Sequence, residues 1–224
     1  MKIFSHISVL AALILVVLLA FLFGGPENIV DVTAIRRLLG IRIAHPSLTA
    51  AMIALTYTGG AYVTLGLGGM VALWLLLRGA RGHALLLGAM VIGERLTMDG
   101  LKLLVGRPRP SIDAHPVATH SSSFPSGHAA NTMAVFLAIA LIAAPATYRR
   151  AAVVAALAMS LLVGSTRPYL GVHWPSDVIG GWALGLIAVW IGVRAGMTSG
   201  VLPVDAQHEI IGRHGADIAE SEPT

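Results

Sequence analysis

The chain has 224 residues, 56% of them hydrophobic and only 12% charged, with a formal net charge of +4. A soluble domain is charged at about a quarter of its positions, and the apolar residues here come in runs rather than stripes, so the composition excludes a soluble globular fold and points to an integral membrane protein. The lack of cysteine excludes disulfides, thiolate metal sites and a cysteine nucleophile, and the sequence carries no repeat, low-complexity tract or nucleic-acid signature.

A membrane crossing takes roughly 20 apolar residues, and six segments meet that need, which predicts an all-α integral membrane bundle of six transmembrane helices. The first covers residues 7–23. It follows Met-Lys as a signal peptide would, but Phe21-Leu22-Phe23-Gly24-Gly25 is a poor small-residue cleavage site, so the segment is read as a retained helix. Over residues 28–45, Ile29, Val32, Ile35, Leu38 and Leu39 recur at helical spacing opposite Asp31, Arg36 and Arg37. That pattern predicts an amphipathic helix, lying on the membrane surface or packed over the bundle end. The second span is residues 48–77, long enough to tilt or to begin outside the bilayer. The third is residues 84–105, the fourth 126–144, the fifth a short 151–166, and the sixth 176–197. Residues 1–198 are thus read as the membrane domain and 199–224 as a polar, disordered cytoplasmic tail.

Six spans put both termini on one side. Arg78, Arg81, Arg149 and Arg150 lie in the short loops of that side, and Lys2 and Arg194 flank its outer helices, so the positive-inside rule makes it cytoplasmic. Three polar clusters fall on the opposite face. Lys102 and Arg109 flank a turn stiffened by Pro108 and Pro110, and Arg167 sits at another helix end. Three cations without matching acids describe an anion site, and arginine's planar fork suits phosphate oxygens. Pro125-Ser126-Gly127 opens a helix whose N-terminal amides and dipole favour an anion, with Gly127 admitting close approach. His128 would stand beside a phosphate bound there. His173 is followed four residues later by Asp177, the kind of partner that fixes an imidazole tautomer and raises its basicity. Two histidines on one phosphate suggest that one attacks phosphorus and the other protonates the leaving oxygen.

Lys102-x6-Arg109-Pro110, Pro125-Ser126-Gly127-His128 and Thr166-Arg167-x5-His173-x3-Asp177 together resemble the three signature motifs of the type 2 phosphatidic acid phosphatase superfamily, which includes membrane lipid phosphatases. Thr166 stands where the family has serine and keeps the hydroxyl. The resemblance covers residues 84–197. It implies that His173 is the nucleophile and forms a phosphohistidine, that Asp177 orients it, and that His128 acts as general acid and then as base. It implies that Lys102, Arg109, Ser126, Gly127 and Arg167 hold the phosphate oxygens, and that no metal or other cofactor takes part. The implied partners are a lipid phosphate substrate and the bilayer, without nucleic acid or an obligatory protein.

Other polar residues have plainer readings. Glu94, Arg95 and Asp99 lie inside the third span, where charges usually face the bundle interior. Asp99 is three residues before Lys102 and is expected to buttress it, unless it only pairs with Arg95. Arg107 is expected to contact headgroups or solvent, and Trp174 to anchor in the membrane or wall the site. A metal site on His115, His120, His128 and His173 lacks any recognised ligand spacing. The expected activity is metal-independent hydrolysis of a lipid phosphate or diphosphate at the extracytoplasmic face of a bacterial inner membrane. Undecaprenyl diphosphate ranks first, then phosphatidylglycerol phosphate or phosphatidate. The alternatives are a lipid phosphotransferase using the same histidine, a metal-dependent hydrolase, and a non-catalytic lipid-binding protein.

Overall fold

The structure is a computed structural model that describes residues 2–203. All regular structure in them is helical: α1 (Lys2–Phe23), α2 (Ile29–Ala44), α3 (Pro46–Tyr57), α4 (Ala61–Leu77), α5 (Arg81–Val105), α6 (Gly127–Ile142), α7 (Ala146–Tyr169) and α8 (Pro175–Thr198). Apolar runs become helices because, away from water, every backbone N–H and C=O must be bonded within the chain, and a helix does this locally. By length and composition α7 and α8 can each cross a membrane. The α2–α3 pair, bent by 114°, passes jointly, and Ser8–Phe23, α4 and α6 are shorter apolar helices.

Three expectations are corrected. The single span over residues 48–77 is two helices, α3 and α4, with Thr58, Gly59 and Gly60 between them. Hydropathy runs on through these residues; the Gly-Gly pair is the one local signal of a break. The short fifth span is in fact α7, whose 24 residues continue through Arg167 to Tyr169; at 1.5 Å per residue it is about 36 Å long. The start of the expected tail is ordered: the amides of Val201 and Leu202 both donate to the Gly196 carbonyl (2.9 Å each), and Leu202 is buried. Residues 204–224, the rest of that tail, lie outside the described residues.

Helix α2 forms where the periodicity places it. The Asn28 side chain caps it by accepting from the amides of Val30 and Asp31 (2.8 and 2.9 Å). Arg36 and Arg37 face outward and Ile35 is buried. Two positions depart from the expected stripe: Ile29 is exposed and Asp31 is buried. Asp31 turns inward because it accepts from the Gly25 amide (2.7 Å) and from the amide and hydroxyl of Ser176 (3.1 and 2.5 Å). It thereby pins the α1–α2 turn to the start of α8.

Helix α6 is the hub and packs against α4, α5, α7 and α8. Its contact with α8 is close because Gly181 and Gly185 carry no side chain on the facing surface. A Cβ at Gly181 would sit 2.6 Å from the Ser126 carbonyl, and one at Gly185 would sit 2.7 Å from Met133 Cβ. Gly181→Ala would therefore push on the backbone at the start of α6. We expect it to cost the roughly 1–3 kcal/mol of stability typical of overpacking, read as a lower thermal midpoint in detergent, and to lower activity. An unchanged midpoint would contradict this account of the α6–α8 contact.

Candidate active site

The ends of α5, α6, α7 and α8 meet around His173. Helix α7 closes on Gly171, whose φ of 71° reverses the chain, and the Val172 amide donates back to the Arg167 carbonyl (3.1 Å). This turn delivers His173 into the interior, 2% exposed. Its Nε2 is 3.1 Å from Arg109 Nη1. A guanidinium can only donate, so Nε2 accepts and the proton of the neutral ring is assigned to Nδ1. Nδ1 lies 3.5 Å from both Asp177 Oδ2 and Ser123 Oγ. Burial, then the charges of Arg109, Arg167 and Lys102, hold His173 well below the ordinary histidine value, with a hydrogen bond from the ring to the Ser123 backbone opposing. The result is a neutral imidazole whose Nε2 lone pair faces cations.

Asp177 is the third residue of α8 and is fully buried. Its Oδ2 accepts from the Trp174 amide (2.9 Å), which closes the first turn of α8 as in half a capping box, and from Ser123 Oγ. Its Oδ1 accepts from Arg107 Nη1 at 2.8 Å. Arg107 therefore does not face headgroups or solvent; it is 7% exposed and forms a buried ion pair with Asp177. The charge of Arg107 was legible in the sequence, but its direction was not. Gly106, at φ 61°, ends α5 and turns the chain just before Arg107.

The expected phosphate ligands converge on the same place. Lys102 Nζ donates to the Ser122 carbonyl (2.9 Å), and Ser122 Oγ returns a bond to the Lys102 carbonyl (2.7 Å). Arg109 is held by the carbonyls of Ser121 (2.8 Å) and Val172 (2.6 Å). Arg167, 3% exposed, donates through Nη1 to Thr56 Oγ1 (2.7 Å), so α3 positions a residue of α7. Arg167 Nε and Ser126 Oγ are buried without a protein partner. Ser126 is the N-cap of α6 but does not use its side chain as a cap. The first-turn amides of α6 thus stay available, which is the arrangement that receives an anion. Gly127 borders Lys102: a Cβ there would lie 3.6 Å from Lys102 Cε.

His128, half-buried in the first turn of α6, packs against the α3–α4 break, where a Cβ at Gly59 would come within 3.2 Å of its Cδ2. Thr56 and Gly59 are contributors that sequence reasoning missed. Trp174 is a wall of the site and not an anchor, since it is 3% exposed and its Nε1 donates to the Pro108 carbonyl (2.9 Å).

Other residues stay apart from this cluster. The Thr166 hydroxyl donates to the Val163 carbonyl of its own helix (2.6 Å). Asp99 does not buttress Lys102: it makes a two-bond pair with Arg95 (2.9 and 2.6 Å), a separation of four on the helix being as suitable as three. His115 Nε2 donates to the Pro110 carbonyl (2.7 Å). Glu94 is buried, and the Asn131 amide, oriented to suit its neighbours, donates to it (3.2 Å) and to the Gly127 carbonyl (3.0 Å).

A cluster of cations around a buried, neutral histidine backed by a carboxylate suits transfer of a phosphoryl group. Residues 82–200 match the PAP2 superfamily. Over 157 residues the chain is 31% identical to phosphatidylglycerophosphatase B of Bacillus subtilis, covering 67% of this chain and 76% of that protein. The chain belongs to the PAP2 superfamily. It is also 31% identical over 194 residues to the undecaprenyl-diphosphatase of Sulfolobus acidocaldarius, covering 82% of this chain and 87% of that one. Its fold is similar to the crystal structure of the transmembrane PAP2-type phosphatidylglycerolphosphate phosphatase from Bacillus subtilis. The TM-score is 0.75 and the identity 25%, over 89% of this chain and 98% of that one. The apolar helices and these PAP2 relatives make the chain an integral membrane protein, and its class of activity is that of a lipid phosphatase.

Proposed function

We propose that this PAP2 chain hydrolyses a lipid phosphate or diphosphate through a phosphohistidine on His173, at the extracytoplasmic face of a bacterial inner membrane. The observation that carries this reading is the poise of His173: Nε2 among cations, Nδ1 toward Asp177. An entering phosphate gives Arg109 charged oxygens in place of the imidazole nitrogen, a stronger bond for a guanidinium. The freed Nε2 lone pair attacks phosphorus. The bond from phosphorus to the leaving oxygen breaks with its electron pair (the lipid ester oxygen of a monophosphate, the bridging oxygen of a diphosphate, which departs as the lipid monophosphate), and that oxygen takes a proton from protonated His128. Lys102, Arg109, Arg167, Ser126 and the first-turn amides of α6 stabilise the charge spread over the phosphoryl oxygens. Water then attacks the phosphohistidine, His128 takes its proton, and inorganic phosphate leaves. Asp177 offsets the positive charge that His173 carries between the two steps.

The proposed order of substrates is undecaprenyl diphosphate first, then phosphatidylglycerol phosphate or phosphatidate; one relative is named for the first of these and one for the second, which supports both as candidates without ordering them. The test is phosphate release by purified protein in detergent, in excess chelator, on each of the three lipids. Release is expected to persist in chelator. Activity that vanishes there and returns with a divalent cation would overturn the metal-independent mechanism, and a water-insensitive transfer to lipid hydroxyls would make the protein a phosphotransferase. The six-span arrangement with both termini cytoplasmic predicts that a reporter fused after Thr224 reads as cytoplasmic; a reporter on the outer side would reverse the orientation.

A further inference from the structure

We infer that Arg107 is a positioning residue for the reaction: it aims the Asp177 carboxylate at His173 and makes the docked end of α1 part of the catalytic assembly. The inference rests on the reading of His173 as nucleophile.

The two arms of this guanidinium do different things. Nη1 bonds Asp177 Oδ1 (2.8 Å) and reaches Ser176 Oγ (3.3 Å). Nη2 bonds the carbonyls of Ala20 (3.1 Å) and Phe21 (2.5 Å), in the last turn of α1. Those carbonyls have no partner within their own helix, and a cation suits the negative end of its dipole. The plane is braced by Phe124, whose ring centroid is 4.5 Å from Cζ. Ser176, in turn, is bonded to Asp31 of α2. Arg107 thus links two helices that supply no residue to the phosphate site with the carboxylate behind the nucleophile.

The division of bonds on Asp177 shows what the link does. Oδ2 faces His173 Nδ1 and is set by Ser123 Oγ and the Trp174 amide, whereas Oδ1 has its bond from Arg107. Without that bond the carboxylate could rotate about its last torsion and carry Oδ2 off the imidazole. A lysine could not replace the arginine, because one ammonium on a flexible stem cannot span Asp177 and the α1 carbonyls in a fixed plane. Both side chains of the pair are nearly or fully sealed from solvent (6% and 0% exposed), so headgroup binding is not the role of Arg107.

The experiment uses the full chain in detergent, with Arg107→Lys and Arg107→Ala, alone and combined with Asp177→Asn. Three readouts are taken: kcat and KM separately, the single-turnover rate of phosphohistidine formation, and rescue by guanidinium ion. For each Arg107 single variant a kcat loss on the order of 10²-fold is expected, the size typical of a misplaced reacting group, with KM little changed. Added guanidinium should partly restore Arg107→Ala, and the loss should shrink in the Asp177→Asn background because the carboxylate to be aimed is gone. If Arg107→Ala does not fold, Arg107→Lys still decides, since wild-type kcat in that variant overturns the inference. So does a rise in KM at constant kcat, or an equal loss with and without Asp177. Absence of phosphohistidine in the wild-type protein would instead refute the proposed mechanism, which keeps the two failures distinct.

Discussion

His173→Ala abolishes phosphate release, with an expected loss on the order of 10⁶-fold, as for removal of a nucleophile that works as part of a unit. The cause is direct: the variant loses the Nε2 lone pair that faces Arg109. Substrate labelled on the transferred phosphate should leave acid-labile, alkali-stable label on the wild-type protein and none on the variant. Because burial and three cations hold His173 well below the ordinary histidine value, the ring stays unprotonated where a free histidine, at about 6.5, begins to charge. Falling pH therefore disables the nucleophile only well below that point, and the acid limb of label formation should lie below the free-histidine range. Substantial turnover by His173→Ala, or an acid limb centred on the free-histidine value, would remove the nucleophile assignment or the electrostatic account of it.

The second large effect is at His128. Its replacement by alanine is expected to lower kcat by about 10²–10⁴-fold, the usual contribution of a positioned acid or base. The size should depend on the leaving group. A lipid alkoxide is a strong base and needs its proton as the bond breaks, whereas nitrophenolate leaves readily without one. His128→Ala should therefore retain far more of its phosphohistidine-forming rate on p-nitrophenyl phosphate than on phosphatidate. Equal losses on the two substrates would point to a role in binding, and the α3–α4 break that packs on this ring would then be read as shaping the pocket.

The groups that collect at the site were legible because chemistry-bearing residues are scarce in so apolar a chain. Lys102, Arg109, Ser126, His128, Arg167, His173 and Asp177 stand out by type and spacing alone. What stayed hidden is directional. Hydropathy does not register that Gly59 and Gly60 interrupt an apolar run, and although the glycine pair is a local signal of the α3–α4 break, nothing in the sequence places that break against His128. Counting charges cannot say which way a turn throws an arginine, and only the backbone at Gly106 turns Arg107 inward. Helical periodicity set Asp31 on the polar face, but a carboxylate three residues past an N-cap can reach back, and this one bonds Gly25 and Ser176 instead. Asp99 had two partners at equivalent spacings, and periodicity could not choose between them.

The carboxylate of Asp177 closes the first turn of α8 and also stands behind the imidazole. Those two duties cannot be performed separately. A copy of the protein whose last helix has frayed or not yet seated has, by the same event, lost the carboxylate beside its histidine. Under the proposed mechanism, reactivity therefore follows the completed seating of α8.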